Sequence, residues 1–298
     1  RSTINSRFEV NLTRSFNFKY SPKRWDGIPI IAANMDSTGT FDVYKCLSNH
    51  KIVTALHKFY TLDDYTYFKE NYNVNTKYFM VSTGINENAI EKLQDIFKII
   101  DSDWICVDIA NGYISNFVQF CRKVRQSFPD KIIVAGNVVT REMVEELLIN
   151  GMVDIVKIGI GPGSACTTRL KTGVGMPQLS AVLECADAAH GMGGHIVSDG
   201  GITCPGDMAK AFGGGADFVM VGGQFAGHDQ NPGDIIEKNG KKYKSFHGMS
   251  SDKAQEKHYG KMEKYRSSEG RVITIPYKGD LNCTVLDYLG GLRSTCTY

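Results

Sequence analysis

Eight short apolar runs rich in Val and Ile recur along the chain, and stretches with helical periodicity separate them. The runs are Ile28–Ala33, Lys51–Leu56, Tyr78–Ser82, Trp104–Ile109, Lys131–Ala135, Asp154–Ile160, His195–Ser198 and Asp217–Val221. Their usual repeat of roughly 20–30 residues is what βα units require. The intervening helices are expected over Phe41–Ser48, Leu62–Glu70, Glu87–Ile100, Ile114–Phe128, Thr140–Leu148, Pro177–Ala189 and Pro205–Phe212. Pro129 stops the fourth of these, and Glu142 sits near the positive end of the fifth. Continuous apolar strands suit a parallel sheet covered on both faces. Eight of them predict a (β/α)8 TIM barrel. A doubly wound open sheet is the alternative, disfavoured because the first βα turn lacks G-x-G-x-x-G.

Barrels of this kind carry their sites at the carboxyl ends of the strands. Those ends here read Asn34-Met35-Asp36, His57-Lys58, Asp108-Ile109-Ala110-Asn111, Gly136-Asn137, Asp199-Gly200-Gly201 and Gly222-Gly223. The last two follow strands seven and eight, where barrels often bind phosphate. Glycine N–H groups and helix N-termini suit an anion there, although tight turns alone would also explain the glycines.

The sixth strand runs into Gly159-Ile160-Gly161-Pro162-Gly163-Ser164-Ala165-Cys166-Thr167-Thr168-Arg169. Most free cysteines are small buried hydrophobes. Cys166 instead lies among glycines and polar residues on a loop beyond a strand end. That placement presents a thiol to a ligand, and Arg169 is positioned to favour a thiolate.

At 298 residues the length suits one large α/β domain, and we expect a single barrel over residues 1–298. The chain begins at Arg1 rather than at a methionine, which reads as part of a longer protein. A net charge of +2 without a basic stripe gives no reason to expect a nucleic acid partner. No apolar run is long enough to cross a bilayer, so no membrane is expected. Eight scattered cysteines contain no C-x-x-C pair, which argues against structural zinc and for reduced thiols in the cytoplasm.

Residues 1–20 alternate poorly and read as an irregular arm. Residues 224–280 are too long for a plain βα loop and read as an insertion after strand eight. A two-stranded flap over the barrel mouth is expected there, with a helix near Asp252–Tyr265 and a strand at Val272–Tyr277. Cys283–Leu292 is the expected eighth barrel helix, and Ser294–Tyr298 a polar tail.

The combination G-I-G-P-G-S-A-C-T-T-R, D-G-G-I, G-G and G-M-S-S resembles the IMP dehydrogenase and GMP reductase family over nearly the whole chain. Three features resemble the reductase branch. Lys58 passes to the third strand with only a short helix between, leaving no room for the regulatory domain that dehydrogenases usually insert. The flap carries Glu269 in Arg266-Ser267-Ser268-Glu269-Gly270, where dehydrogenases commonly have Gln. The A-A-N-M-D start and the R-S-T-C-T-Y end also match. Ser267 departs from the commoner R-A-S-E-G.

The resemblance implies reductive deamination of GMP by NADPH to IMP and ammonia, through a thioimidate on Cys166, with Thr168 and Glu269 as a proton relay. A phosphate or flavin-binding barrel without cysteine chemistry, and a dehydrogenase lacking its inserted domain, are the competing readings. The implied nucleotide site comprises Asp199, Gly200, Gly201, Gly222, Gly223, Gly248, Met249, Ser250, Arg266, Ser267, Ser268, Glu269 and Gly270. The implied NADPH site comprises Lys58, Asp108, Ile109, Ala110, Asn111, Ile160, Gly161, Met249, Tyr265 and Arg266. Ser6 and Arg7, together with Ser294, Thr295, Cys296 and Thr297 of an adjacent subunit, are implied at the cofactor's far end. Gly161, Gly163, Cys166 and Arg169 are implied ligands of a monovalent cation such as K+, and the family implies a homotetramer. Lys58 also suits a solvated rim charge, Asp199 a helix cap, and Glu269 an exposed flap carboxylate.

Overall fold

The structure is a computed structural model that describes residues 2–260 and 267–298. It opens with an antiparallel hairpin, β1 (Arg14–Asn17) and β2 (Arg24–Gly27). Then come β3 (Ile30–Ala32), α1 (Phe41–Leu47), β4 (Val53–Leu56), α2 (Leu62–Asn71), β5 (Phe79–Thr83), α3 (Ala89–Ile99), β6 (Trp104–Asp108) and α4 (Phe117–Ser127). The alternation continues with β7 (Ile132–Val138), α5 (Arg141–Ile149), β8 (Ile155–Ile158), α6 (Thr168–Thr172), α7 (Gln178–Gly191), β9 (His195–Asp199), α8 (Pro205–Gly213) and β10 (Phe218–Val221). The insertion carries β11 (Ile236–Lys238), β12 (Lys241–His247), α9 (Asp252–Tyr259) and β13 (Val272–Pro276), and α10 (Leu281–Thr295) ends the fold.

Strands β3 to β10 pair in parallel and close on themselves, β10 meeting β3 through Val219↔Ile30, Met220↔Ile31 and Val221↔Ala32. The expected (β/α)8 barrel is therefore present. Its strands are buried almost throughout, which is why they read as unbroken apolar runs.

Three local expectations need correction. The expected irregular arm over residues 1–20 is not irregular throughout, because Arg14–Asn17 pairs with Arg24–Gly27 in a hairpin at the amino ends of the barrel strands. Phe16 packs there on Trp25 and Phe218, which also meet Trp104. Each such buried aromatic contributes on the order of 2–3 kcal/mol. The chain is held in place by Asp154, whose carboxylate accepts the Tyr20 and Ser21 N–H groups at 2.9 and 3.1 Å and pairs with buried Arg125.

The flap sheet has three strands rather than two, in the order β11-β12-β13. Asn239 and Gly240 both take positive φ (52° and 71°) between the paired Lys238 and Lys241. That is the two-residue turn that an Asn-Gly step favours. Finally, the expected polar tail is partly helical, since α10 runs on to Thr295. The part of the expected flap helix beyond Gly260 lies outside the described residues.

Candidate active site

The cysteine loop leaves β8 at the carboxyl end of the barrel. Gly159 and Gly161 take φ of 147° and 83°, values open to glycine at little cost. A Cβ on Gly161 would stand 2.6 Å from Cγ of Arg169. The loop is folded around that arginine, whose guanidinium donates to the carbonyls of Ile160 and Met176. Arg169 thus braces the loop's backbone.

Past the turn, Cys166 N donates to Gly163 O at 3.0 Å, and the chain pairs with the flap at Gly270. Thr167 N donates to Glu269 O at 2.8 Å, and Arg271 N donates to Ala165 O at 3.0 Å. The Arg271 guanidinium also donates to Ser164 O at 2.9 Å. Glu269 is thereby delivered to Cys166, although 103 positions of sequence separate them. The Cys166 thiol donates to Thr168 Oγ1 at 3.2 Å, and the Thr168 hydroxyl donates to Glu269 Oε2 at 2.7 Å. The result is a continuous line from sulfur through hydroxyl to carboxylate.

The glycine steps expected at the phosphate lie around the same loop. Gly200 and Gly201 have φ of 92° and 78°. A Cβ on Gly200 would stand 2.8 Å from Pro162 Cγ, and one on Gly223 would stand 2.8 Å from Ser164 Oγ. A Cβ on Gly222 would stand 3.1 Å from Met35 Sδ. Gly200 and Gly223 thus let the ends of β9 and β10 approach the cysteine loop closely, while Gly222 makes room for Met35. Gly248 is equally tight, with Ala165 O 2.9 Å from a Cβ placed there. Met249 Sδ accepts the Asp36 N–H at 3.5 Å. Ser250 follows Met249, and Ser251 caps α9. Ser268 O accepts from the Thr167 hydroxyl at 3.3 Å, and Ser267 beside it is exposed. Tyr265 and Arg266 lie outside the described residues.

On the other side of the rim, Asp108 ends β6, with Lys58 near enough to act on its carboxyl. Burial alone would raise the Asp108 pKa, but Lys157, Lys58 and an Asn34 hydrogen bond hold it below the usual carboxylate range. Ile109 N donates to Gly136 O, Ala110 and Asn111 are exposed, and Asn111 Oδ1 accepts the Tyr113 N–H at 3.0 Å. Ser6 caps a short turn over Arg7–Glu9 that packs on α10, the helix containing Ser294 and Thr295. Ser2 Oγ donates to Cys296 O at 3.1 Å, and Thr297 N to Ser294 O at 3.0 Å. Both groups expected at the cofactor's far end therefore belong to one patch of this subunit.

Two clusters were missed as site features. Lys157 of β8 reaches between Asp108 Oδ1 (2.7 Å) and Asp199 Oδ2 (2.9 Å). Its signal was a lysine inside the run Ile155-Val156-Lys157-Ile158. Asp36, 1 % exposed in its side chain, receives His247 at 3.1 Å, Lys257 at 2.9 Å and His258 at 3.0 Å, all from the flap. Among the described residues, no cluster of three or more His, Cys, Asp or Glu is placed to hold a metal ion. No helix among them is long and apolar enough to cross a membrane.

The IMP dehydrogenase / GMP reductase domain model matches residues 17–298. Over 299 residues the chain is 56 % identical to GMP reductase 1 of Rattus norvegicus and of Homo sapiens. Over 300 residues it is 57 % identical to the GMP reductase of Aliivibrio salmonicida. Each match spans 100 % of this chain and 86 % of the relative.

Proposed function

The chain belongs to the IMP dehydrogenase / GMP reductase family, and we propose that it converts GMP to IMP and ammonia at the expense of NADPH. The observation that carries this reading is the line Cys166–Thr168–Glu269, with hydrogen bonds of 3.2 and 2.7 Å. Replacing the guanine 2-amino group by hydrogen needs a nucleophile at C2, a proton for the departing amine, and a hydride.

Cys166 supplies the nucleophile. Its sulfur adds to C2 as the thiol proton moves through the Thr168 hydroxyl to Glu269. The same path, run in reverse, protonates the amine, and the C–N bond breaks to release ammonia. The purine then remains bonded to Cys166 as a thioimidate. Bound NADPH supplies the hydride that C2 receives, and the C–S bond breaks to free IMP and the thiolate.

Gly201, Gly222 and Gly223 suit the nucleotide phosphate, because they follow β9 and β10 and, without side chains, can offer backbone N–H groups to an anion. Asp199 suits the ribose hydroxyls as an acceptor. Gly248 to Ser250 and Ser267 to Gly270 suit the purine, as they flank the cysteine loop on the flap side. Lys58, Asp108, Ala110 and Asn111 form the opposite half of the rim, and Ile160 and Gly161 border it, which fits a cofactor entering against the purine. The carbonyls of Gly161, Gly163 and Cys166, with Arg169 nearby, suit a monovalent cation, to which we assign K+. Activity in K+ against Na+ tests that assignment.

We assign a homotetramer, which light scattering tests, and a cytoplasmic setting, which all eight cysteines being free favours. The decisive assay follows absorbance of the reduced nicotinamide and release of ammonia. NADPH oxidation with GMP that disappears in Cys166→Ala is the expected result. NAD+ reduction with IMP, and none of the first reaction, would overturn the reading.

A further inference from the structure

The side chain of Lys157 is 3 % exposed, yet it carries a charge between two carboxylates. Burial alone would lower its pKa, but Asp108 and Asp199 outweigh burial and raise it, so the ammonium persists. Gly136 on β7 makes the passage possible, because a Cβ there would stand 2.7 Å from that of Lys157. Asn137 adds a second donor to the same oxygen, Asp199 Oδ2, at 2.9 Å, and anchors itself on Gly159 O at 2.7 Å. Asp199 Oδ2 is thereby held by two donors. Among the described residues, Oδ1 of Asp199 has no hydrogen-bond partner, so it remains available to a ligand.

The two carboxylates keep 24 % and 20 % of their side-chain surface, one on each half of the rim. A buried ion triad adds little net stability compared with apolar side chains of the same shape. Fold stability therefore gives poor reason for a lysine at this point. Geometry gives a better one, since the one ammonium fixes the distance between two groups that face different ligands.

We propose that Lys157 is a positioning residue, whose ammonium holds Asp108 toward the cofactor and Asp199 toward the nucleotide and so sets nicotinamide and purine in register. The inference rests on the proposed GMP reduction. Without Lys157, two like charges are left facing each other, and one of them takes up a proton more readily. The groups facing the ammonium are Asp108 and the Cys106 thiol from β6 and Asp199 from β9, with Lys58 and Asn34 beyond Asp108.

The test compares Lys157→Met, Lys157→Arg and the charge-balanced pair Lys157→Met with Asp108→Asn. Each is measured for thermal unfolding and for rates with GMP and NADPH varied separately. In Lys157→Met, KM is expected to rise about tenfold for both substrates, with a further loss in kcat. The acid limb of its kcat/KM profile is expected about one pH unit higher. Lys157→Arg should recover most of the loss. The charge-balanced pair should unfold near the wild-type temperature and still lose activity.

Kinetics within about twofold of wild type in a folded Lys157→Met or charge-balanced variant would overturn the proposal. So would failure of all three variants to fold, which would make the role structural. A wild type that does not oxidise NADPH with GMP overturns the functional reading and this inference together. A working wild type with kinetically normal variants overturns this inference alone.

Discussion

Two buried charge clusters at the barrel mouth are near inversions of each other. Around Lys157, one ammonium serves two carboxylates, and every partner stands on a barrel strand or at its end. Around Asp36, one carboxylate serves three cationic or protonatable groups, and every partner comes from the flap. Strands β6, β8 and β9 are fixed by ladders on both sides, so the Lys157 cluster has no separable halves. The Asp36 cluster joins barrel and flap together with the cysteine-loop contacts, the stacking of His258 on Phe59 at 3.6 Å and the Asn231 bond to Ser37 O at 2.8 Å. The first arrangement sets distances within one body. The second sets whether two bodies stay together, and the relay depends on that, because Thr168 belongs to the barrel and Glu269 to the flap.

The largest effect should come from breaking the relay while leaving both bodies joined. Glu269→Gln should lower kcat by about 10²–10⁴-fold with the unfolding temperature unchanged. Equal loss of stability would mean that Glu269 acts as a structural strut. Next is Asp36→Asn, which keeps the shape and removes the charge. It should weaken flap docking by about 3 kcal/mol, seen as faster proteolysis within residues 224–280 while the barrel resists. Cleavage spread over the whole chain would deny the two-body distinction.

Acid should act on the seam through His57, which stacks on Tyr60 at 3.9 Å. Burial pushes its pKa down to about 4, with Lys257 and His258 adding to that and Asp36 opposing it. Between pH 6.5 and 4 the unfolded chain takes up a proton that the folded ring refuses. Stability therefore falls as pH falls through that window, by roughly 1–3 kcal/mol from this residue. His57→Gln should flatten that part of the stability curve, and an unchanged slope would assign it elsewhere. Lys257→Met should do least, under about 1 kcal/mol, because that side chain is 53 % exposed and two histidines remain on Asp36.

The barrel was legible because burial on both faces writes each strand as an unbroken apolar run. The hairpin at its base was less so, since β1 is short and polar and, of its four residues, only Phe16 packs on the core. The third flap strand had a local signal in Asn239-Gly240, but neighbouring lysines obscured the strands around it. Cys166 stood out by its loop. Its link to Thr168 was within reach of local reading, at 3.2 Å and two positions apart. The link to Glu269 was not, because 101 positions separate it from Thr168 and only resemblance to a family joined the two. Asp36 and His258 are 222 positions apart and carried no such guide.

The short ladder between the cysteine loop and the flap has a practical consequence. Thr167 N and Ala165 O, on either side of Cys166, are both spent on the flap backbone at Glu269 and Arg271. The sulfur's surroundings and the flap's position are therefore one variable. The rate at which a small alkylating reagent labels Cys166 becomes a gauge of lid position, readable with no substrate turning over.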